Sequence, residues 1–257
     1  MDPRLTSLRL ETLLRSLPDL MFPRVCLVCG RQLLPSERHL CLGCEADLPL
    51  THFEEHSRNP MADRYNEKLV AAGFGECYQY AVSLFLYGSG SGYDYIPQAL
   101  KYDRNIGAGR HFARRLGGLV AGAEWFGDVD LVTCVPLHWT RRFRRGYNQA
   151  AVIASELARC LAVQFSPDIL KRTRRTATQT RLSVEAKALN VAGAFAVRRR
   201  YMSFRAQSRD LPPRHILLVD DVFTTGATLT ACASALFEAF GPELRVSIAT
   251  LACVPRR

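Results

Sequence analysis

The chain has 257 residues, 48% of them hydrophobic, enough for a sizeable core and a small second module. Thirty-four Lys and Arg stand against 24 Asp and Glu, a net charge of +10, which favours phosphate substrates, nucleic acid or an acidic membrane surface; a generally basic soluble protein is the blander reading. No apolar run is long enough to span a bilayer and no stretch has signal-peptide order, so the expectation is a cytoplasmic chain whose nine Cys are thiols or metal ligands, not disulfides.

Met1 to Pro23 carries Leu5, Leu8, Leu13 and Leu17 at roughly helical spacing, closed by Pro18 and Pro23. That pattern predicts a helix packed on the next module. Cys26-x2-Cys29 and Cys41-x2-Cys44 follow, separated by a short loop with Gly30 and Pro35. Two CxxC pairs supply the four thiolates of a tetrahedral zinc site, with an iron–sulfur cluster as the chemical competitor. Four ligands leave no open position, so the metal is expected to be structural and to supply folding free energy to so small a loop. His39 reads as a surface residue. Residues 1–50 form this N-terminal helix and four-Cys module, and 51–69, polar with the breaker pair Asn59-Pro60, read as a linker.

A larger domain is expected over 70–257. Ala81 to Tyr87 has strand character and runs into Gly88-Ser89-Gly90-Ser91-Gly92, whose glycine spacing suits a flexible loop better than a phosphate loop. Tyr95 to Ala123 reads as mainly helical, broken near Gly107 to Gly109. Its Lys101, Arg104, Arg110, Arg114 and Arg115 read as a solvated basic face, with a nucleic-acid surface as the sharper alternative. Val129 to Leu137 predicts a buried strand. Directly after it come His138, Trp139, Arg141, Arg142, Arg144, Arg145, Gly146, Tyr147, Asn148 and Gln149, ahead of a helix over Ala150 to Leu161. Arg forks and amides at a strand-to-helix junction are an anion-binding candidate, or a contact for a nucleic-acid backbone. Asp168 to Phe195 reads as a lid, an electrostatic track or a structural loop.

Ile216 to Thr228 is the most informative stretch. Four aliphatic residues suit a buried parallel strand, and Asp220-Asp221 stand where it ends. Thr224-Thr225-Gly226-Ala227-Thr228 then opens a helix that runs to Phe240. Helix N-terminal N–H groups and the helix dipole favour an anion, and adjacent carboxylates accept hydrogen bonds from sugar hydroxyls. The ligand read here is a sugar joined to a phosphate. Leu244 to Val254 is the last strand. Alternating strands and helices predict an α/β fold, a mostly parallel sheet with helices on both faces.

Ile216 to Thr228 resembles the phosphoribosyl-diphosphate motif of type I phosphoribosyltransferases. Together with the CxxC pairs, Val135-Pro136-Leu137, Arg145-Gly146-Tyr147-Asn148-Gln149, Gln179-Thr180-x-Leu182-Ser183 and Asn190-Val191-x-Gly193-x-Phe195, it resembles the ComF competence family from about Phe22 on. Lys187 departs from the pattern: members commonly carry Arg there, and a Lys keeps the charge but loses the bidentate fork.

The resemblance implies a type I phosphoribosyltransferase-like fold over 70–257 beside a small zinc module. It implies that Asp220 and Asp221, the catalytic pair, accept the ribose hydroxyls. Thr224, Thr225, Gly226, Ala227 and Thr228 would wrap the 5′-phosphate, and Arg144 and Arg145 would face the pyrophosphate. Mg²⁺ would be held largely by the ligand. Two functions follow from it. One is an accessory of DNA uptake that binds single-stranded DNA, with Tyr93, Tyr95, Trp139 and Tyr147 as stacking candidates, and that meets uptake-machinery proteins at the inner membrane. The other is a working phosphoribosyltransferase acting on a base or another nucleophile in nucleotide salvage.

Overall fold

The computed structural model describes residues 23–88, 90–102, 104–137, 143, 145–173, 193–202 and 212–256. The N-terminal leucine pattern, His138, Trp139, Arg141, Arg142, Arg144 and the stretch 174–192 lie outside the described residues.

Five parallel strands form the central sheet: β1 Ala81–Leu86, β2 Leu131–Cys134, β3 Gln164–Phe165, β6 His215–Phe223 and β7 Arg245–Cys253. Their order is β1-β7-β6-β2-β3. The central strands are buried on both faces, as their aliphatic runs predict. A separate antiparallel hairpin pairs β4 Leu170–Arg172 with β5 Phe195–Val197. The base of the excursion expected over 168–195 is therefore structural, with Leu170, Phe195 and Val197 buried in the core.

Helices cover both faces. Helix α1 is the short Leu42–Ala46, and α2 is Pro60–Ala71. Helices α3 Tyr95–Tyr102, α4 Ile106–Gly122 and α5 Gln149–Leu161 pack on one face, with Leu100, Phe112, Leu116, Ile153 and Leu157 fully buried. A four-residue helix α6, Arg199–Met202, follows β5. Helix α7 Ala227–Phe240 packs with α2 on the other face.

Two expectations are corrected. The stretch 51–69 is not a linker: it holds a 3-10 turn, Phe53–Glu55, and most of α2. Asn59-Pro60 starts a helix there and does not break one. Asn59 Oδ1 accepts from Met61 N and Ala62 N, and Pro60 sits at the first helical position, where a missing N–H costs nothing. Met61, Tyr65 and Leu69 bury one face of the helix. The break in the basic helical region lies between the end of α3 at Tyr102 and the start of α4 at Ile106, not at Gly107 to Gly109. Asn105 caps α4 by accepting from Ala108 N. Gly109 instead allows close packing, since a Cβ there would stand 2.5 Å from Leu100 Cδ1.

The sheet topology creates the site. β2 and β6 are neighbours, yet α5 after β2 lies on one face and α7 after β6 on the other. The two connections diverge and open a crevice at the carboxyl ends of these strands.

Candidate ligand-binding site and metal centre

Asp220 and Asp221 end the buried run of β6 at this crevice. Asp220 Oδ1 accepts from the Asp221 N–H at 2.9 Å. Burial, and then the Asp221 charge, push the Asp220 carboxyl well above the ordinary carboxylate range. Asp221 is buried, and its Oδ2 lies 2.7 Å from Lys101 Nζ. Burial lowers the Lys101 pKa, but the two carboxylates outweigh it and hold the ammonium charged.

The turn after β6 is fixed by Gly226, at φ +78°, which forms the N-cap of α7. A Cβ there would stand 2.9 Å from Phe223 Cζ, so both conformation and space require glycine. Gly226 itself brings no side-chain cap. The Ala227 N–H donates to Thr225 Oγ1 at 3.4 Å, while the first-turn N–H groups of Thr228 and Leu229 lack intrahelical acceptors, the arrangement that receives an anion. Thr224 is exposed, and Thr225 and Thr228 are half-buried around the turn. The predicted residues 220–228 are thus brought together by one strand end and one helix start.

Arg145 lies in the connection after β2 and packs at the end of α3, where Lys101 also sits. Its guanidinium stacks over the Tyr102 ring at 5.4 Å, and its buried Nε has no hydrogen-bond partner among the described residues. Arg144 is outside the described residues. Asn148 caps α5 through Ala150 N and donates to Val135 O at 3.0 Å, while the Tyr147 hydroxyl donates to Leu100 O. These two residues anchor the connection. Tyr93 is also engaged, through Cys44 O, so of the expected stacking residues Tyr95 stands exposed.

The four Sγ atoms of Cys26, Cys29, Cys41 and Cys44 lie within 4.8 Å of one another, with 3.7 Å between Cys29 and Cys41. Sulfurs bonded at ~2.3 Å to one tetrahedral zinc stand ~3.8 Å apart, so this donor set fits such an ion. Burial raises the Cys26 pKa, but N–H groups of Cys29, Cys41 and Val28 outweigh it and bring the thiol down to about 7. Burial and the neighbouring thiols push Cys44 up. Glu37 knots the loop, accepting from Leu34 N and Leu42 N at 2.7 Å each. His39 is no surface residue: it is half-buried against His111, with ring centroids 5.2 Å apart.

The phosphoribosyl transferase domain family matches residues 147–257. The chain is 28% identical to Competence protein F of Haemophilus influenzae over 236 residues, 86% of this chain and 94% of that one. DNA utilization protein YhgH of Escherichia coli is 37% identical over 109 residues, 42% of this chain and 43% of YhgH. These matches support the resemblance to the ComF family. The solved structure of TT1426 from Thermus thermophilus covers 56% of this chain and 84% of its own, at 21% identity and TM-score 0.30.

In this chain, which resembles the ComF family, two site residues escaped the sequence reading. Lys101 was expected on a solvated face, yet it reaches the acidic pair from the end of α3. Arg64, in the supposed linker, donates to Thr224 O and to Val254 O, and stacks on the Phe223 ring at 4.9 Å. A polar face on a predicted helix could have flagged Arg64. For Lys101 the one signal was a cation following buried Leu100 in an amphipathic pattern.

Proposed function

We propose that this chain binds phosphoribosyl diphosphate in the crevice between β2 and β6 and serves as a cytoplasmic accessory of DNA uptake. The observation that carries the reading is the acidic pair at the end of β6, set beside an uncapped helix start at the switch point of the sheet. Asp220 and Asp221 accept the ribose 2′ and 3′ hydroxyls. Thr224, Thr225, Gly226, Ala227 and Thr228 hold the 5′-phosphate through N–H and hydroxyl donors. Arg144 and Arg145 face the pyrophosphate, and Arg145 brings an unmet buried donor to that role. Mg²⁺ accompanies the ligand, held mainly by its oxygens. Zinc at the four Cys is structural.

The uptake role rests on likeness to proteins named Competence protein F and DNA utilization protein YhgH, and on the net charge of +10. Single-stranded DNA is the nucleic-acid partner, and uptake proteins at the inner membrane are the protein partners. Among the described residues no helix is long and apolar enough to cross a membrane. Thermal shift with phosphoribosyl diphosphate and Mg²⁺ tests the seat. A raised midpoint that disappears in the Asp220→Asn, Asp221→Asn double variant supports it, and an unmoved wild-type midpoint refutes it.

A second reading, transfer of the phosphoribosyl group to a base or another nucleophile, draws on the raised Asp220 pKa. A carboxyl tuned upward suits proton transfer near neutral pH. Pyrophosphate release across a panel of bases decides it; no release with any base rejects turnover.

A further inference from the structure

Three arginines converge on one buried acid at the outer face of α4 and α5. Arg110 Nε lies 3.6 Å from Glu156 Oε1, Arg114 Nε 3.0 Å from Oε2 and Arg159 Nε 3.2 Å from Oε2. Glu156 has an 11% exposed side chain, whereas the arginines are 58%, 54% and 64% exposed. One carboxylate neutralises one guanidinium, so the cluster keeps an excess of two positive charges. Every arginine turns its Nε edge inward. The Nη groups of Arg110 and Arg159 are then engaged by no described residue and remain free to donate outward.

We propose that Arg110, Arg114 and Arg159, fanned around Glu156, form a docking surface for the phosphodiester backbone of single-stranded nucleic acid, separate from the sugar-phosphate crevice. The inference rests on the nucleic-acid part of the proposed function and places it on the molecule. A small anion is a poor fit, because guanidinium groups more than half exposed give weak, screened single contacts. A polyanion gains by number, as each phosphate neutralised releases counterions. Arg110 and Arg114 are one helical turn apart on α4, ~6 Å along one face, so they can meet successive groups of an extended strand. Arg115 pairs with Glu45 of the four-Cys module. Burial lowers the His111 pKa first, and Arg115, Arg38 and Arg114 add to this against the opposing Glu45.

Fluorescence anisotropy of labelled oligothymidylate, titrated at several salt concentrations, tests the surface on the full chain. Arg110→Gln with Arg159→Gln leaves Arg114 to pair with Glu156, so the fold is retained, as a melting curve checks. Its binding is expected to weaken roughly tenfold or more at low salt, and its salt slope to become shallower by about 1.4, from two lost contacts at ~0.7 each. Arg110→Lys with Arg159→Lys keeps the charge and recovers most of the binding. Arg58→Gln with Arg256→Gln, 75% and 71% exposed in the wild type, removes the same charge elsewhere and is expected to bind within about twofold of wild type. Equal losses in the two Gln pairs, or none at the Arg110 pair, overturn the surface while leaving DNA binding standing. Wild-type protein that fails to bind at low salt refutes the DNA reading itself, and the surface with it.

Discussion

Lys101→Met deletes the ammonium 2.7 Å from Asp221 Oδ2 while keeping most of the apolar stem. At an effective dielectric of ~20 the gross attraction at that distance is about 6 kcal/mol. Desolvation offsets much of it, and removing one partner of a buried pair costs roughly 3–5 kcal/mol. Lys101 is 26% and Asp221 12% exposed, which lowers the expected destabilisation to about 2–3 kcal/mol at neutral pH. The loss should depend on pH, with a definite sign. Asp220 has a folded pKa raised above its unfolded value of 3.8, so its stability contribution is present at low pH and is lost as pH rises through the folded value. Without the nearby ammonium Asp220 holds its proton more tightly, and that decline deepens. Lys101 itself has a folded pKa raised above 10.5, so its own contribution is complete throughout the window. Urea unfolding of both proteins at about pH 5 and about pH 8 should therefore show a destabilised variant at both, with the larger difference at the higher pH. A difference that is the same at both, or a variant more stable than wild type at about pH 8, would refute the electrostatic account.

Gly226→Ala forces a side chain into a left-handed turn and onto the Phe223 ring; a loss of roughly 1–3 kcal/mol is expected, together with loss of the phosphoribosyl-diphosphate thermal shift, both read in one melting experiment. Asn59→Ala removes the cap of α2 and the donor to Ala81 O at 2.8 Å, which should cost about 2–3 kcal/mol in urea unfolding. Metal analysis should find one zinc per chain, and a strong chelator should lower the melting midpoint; an iron content with visible absorbance would replace zinc by a cluster. Arg64→Met should weaken phosphoribosyl-diphosphate binding roughly tenfold in calorimetry while the melting midpoint of the ligand-free chain moves little.

What the sequence revealed about the site was local. The strand, acidic pair and turn of residues 216–228 are contiguous, and each residue type there has one conformational reason to be present. The CxxC pairs were readable for the same cause, since each pair aims its own sulfurs. Lys101 and Arg64 were not readable, because their partners lie 120 and 160 positions away and no local pattern records such contacts. Asn59-Pro60 carries two meanings, loop breaker and helix start. Burial of Met61, Tyr65 and Leu69 selects the second. Gly107 and Gly109 resemble a break in propensity terms, but packing against Leu100 overrides the intrinsic cost of glycine in a helix.

The grip of Arg64 on the Thr224 carbonyl reaches further than a loop anchor. A trans peptide plane carries its C=O and the next N–H in opposite directions. Holding the Thr224 oxygen toward α2 therefore turns the Thr225 N–H away from α2. The dipole of that peptide is oriented before any ligand arrives, and an anion meeting the turn finds a donor already aimed. Affinity gained in this way comes from reorganisation that never has to occur. It is set by α2, a helix some 160 positions earlier in the chain than the turn it orients.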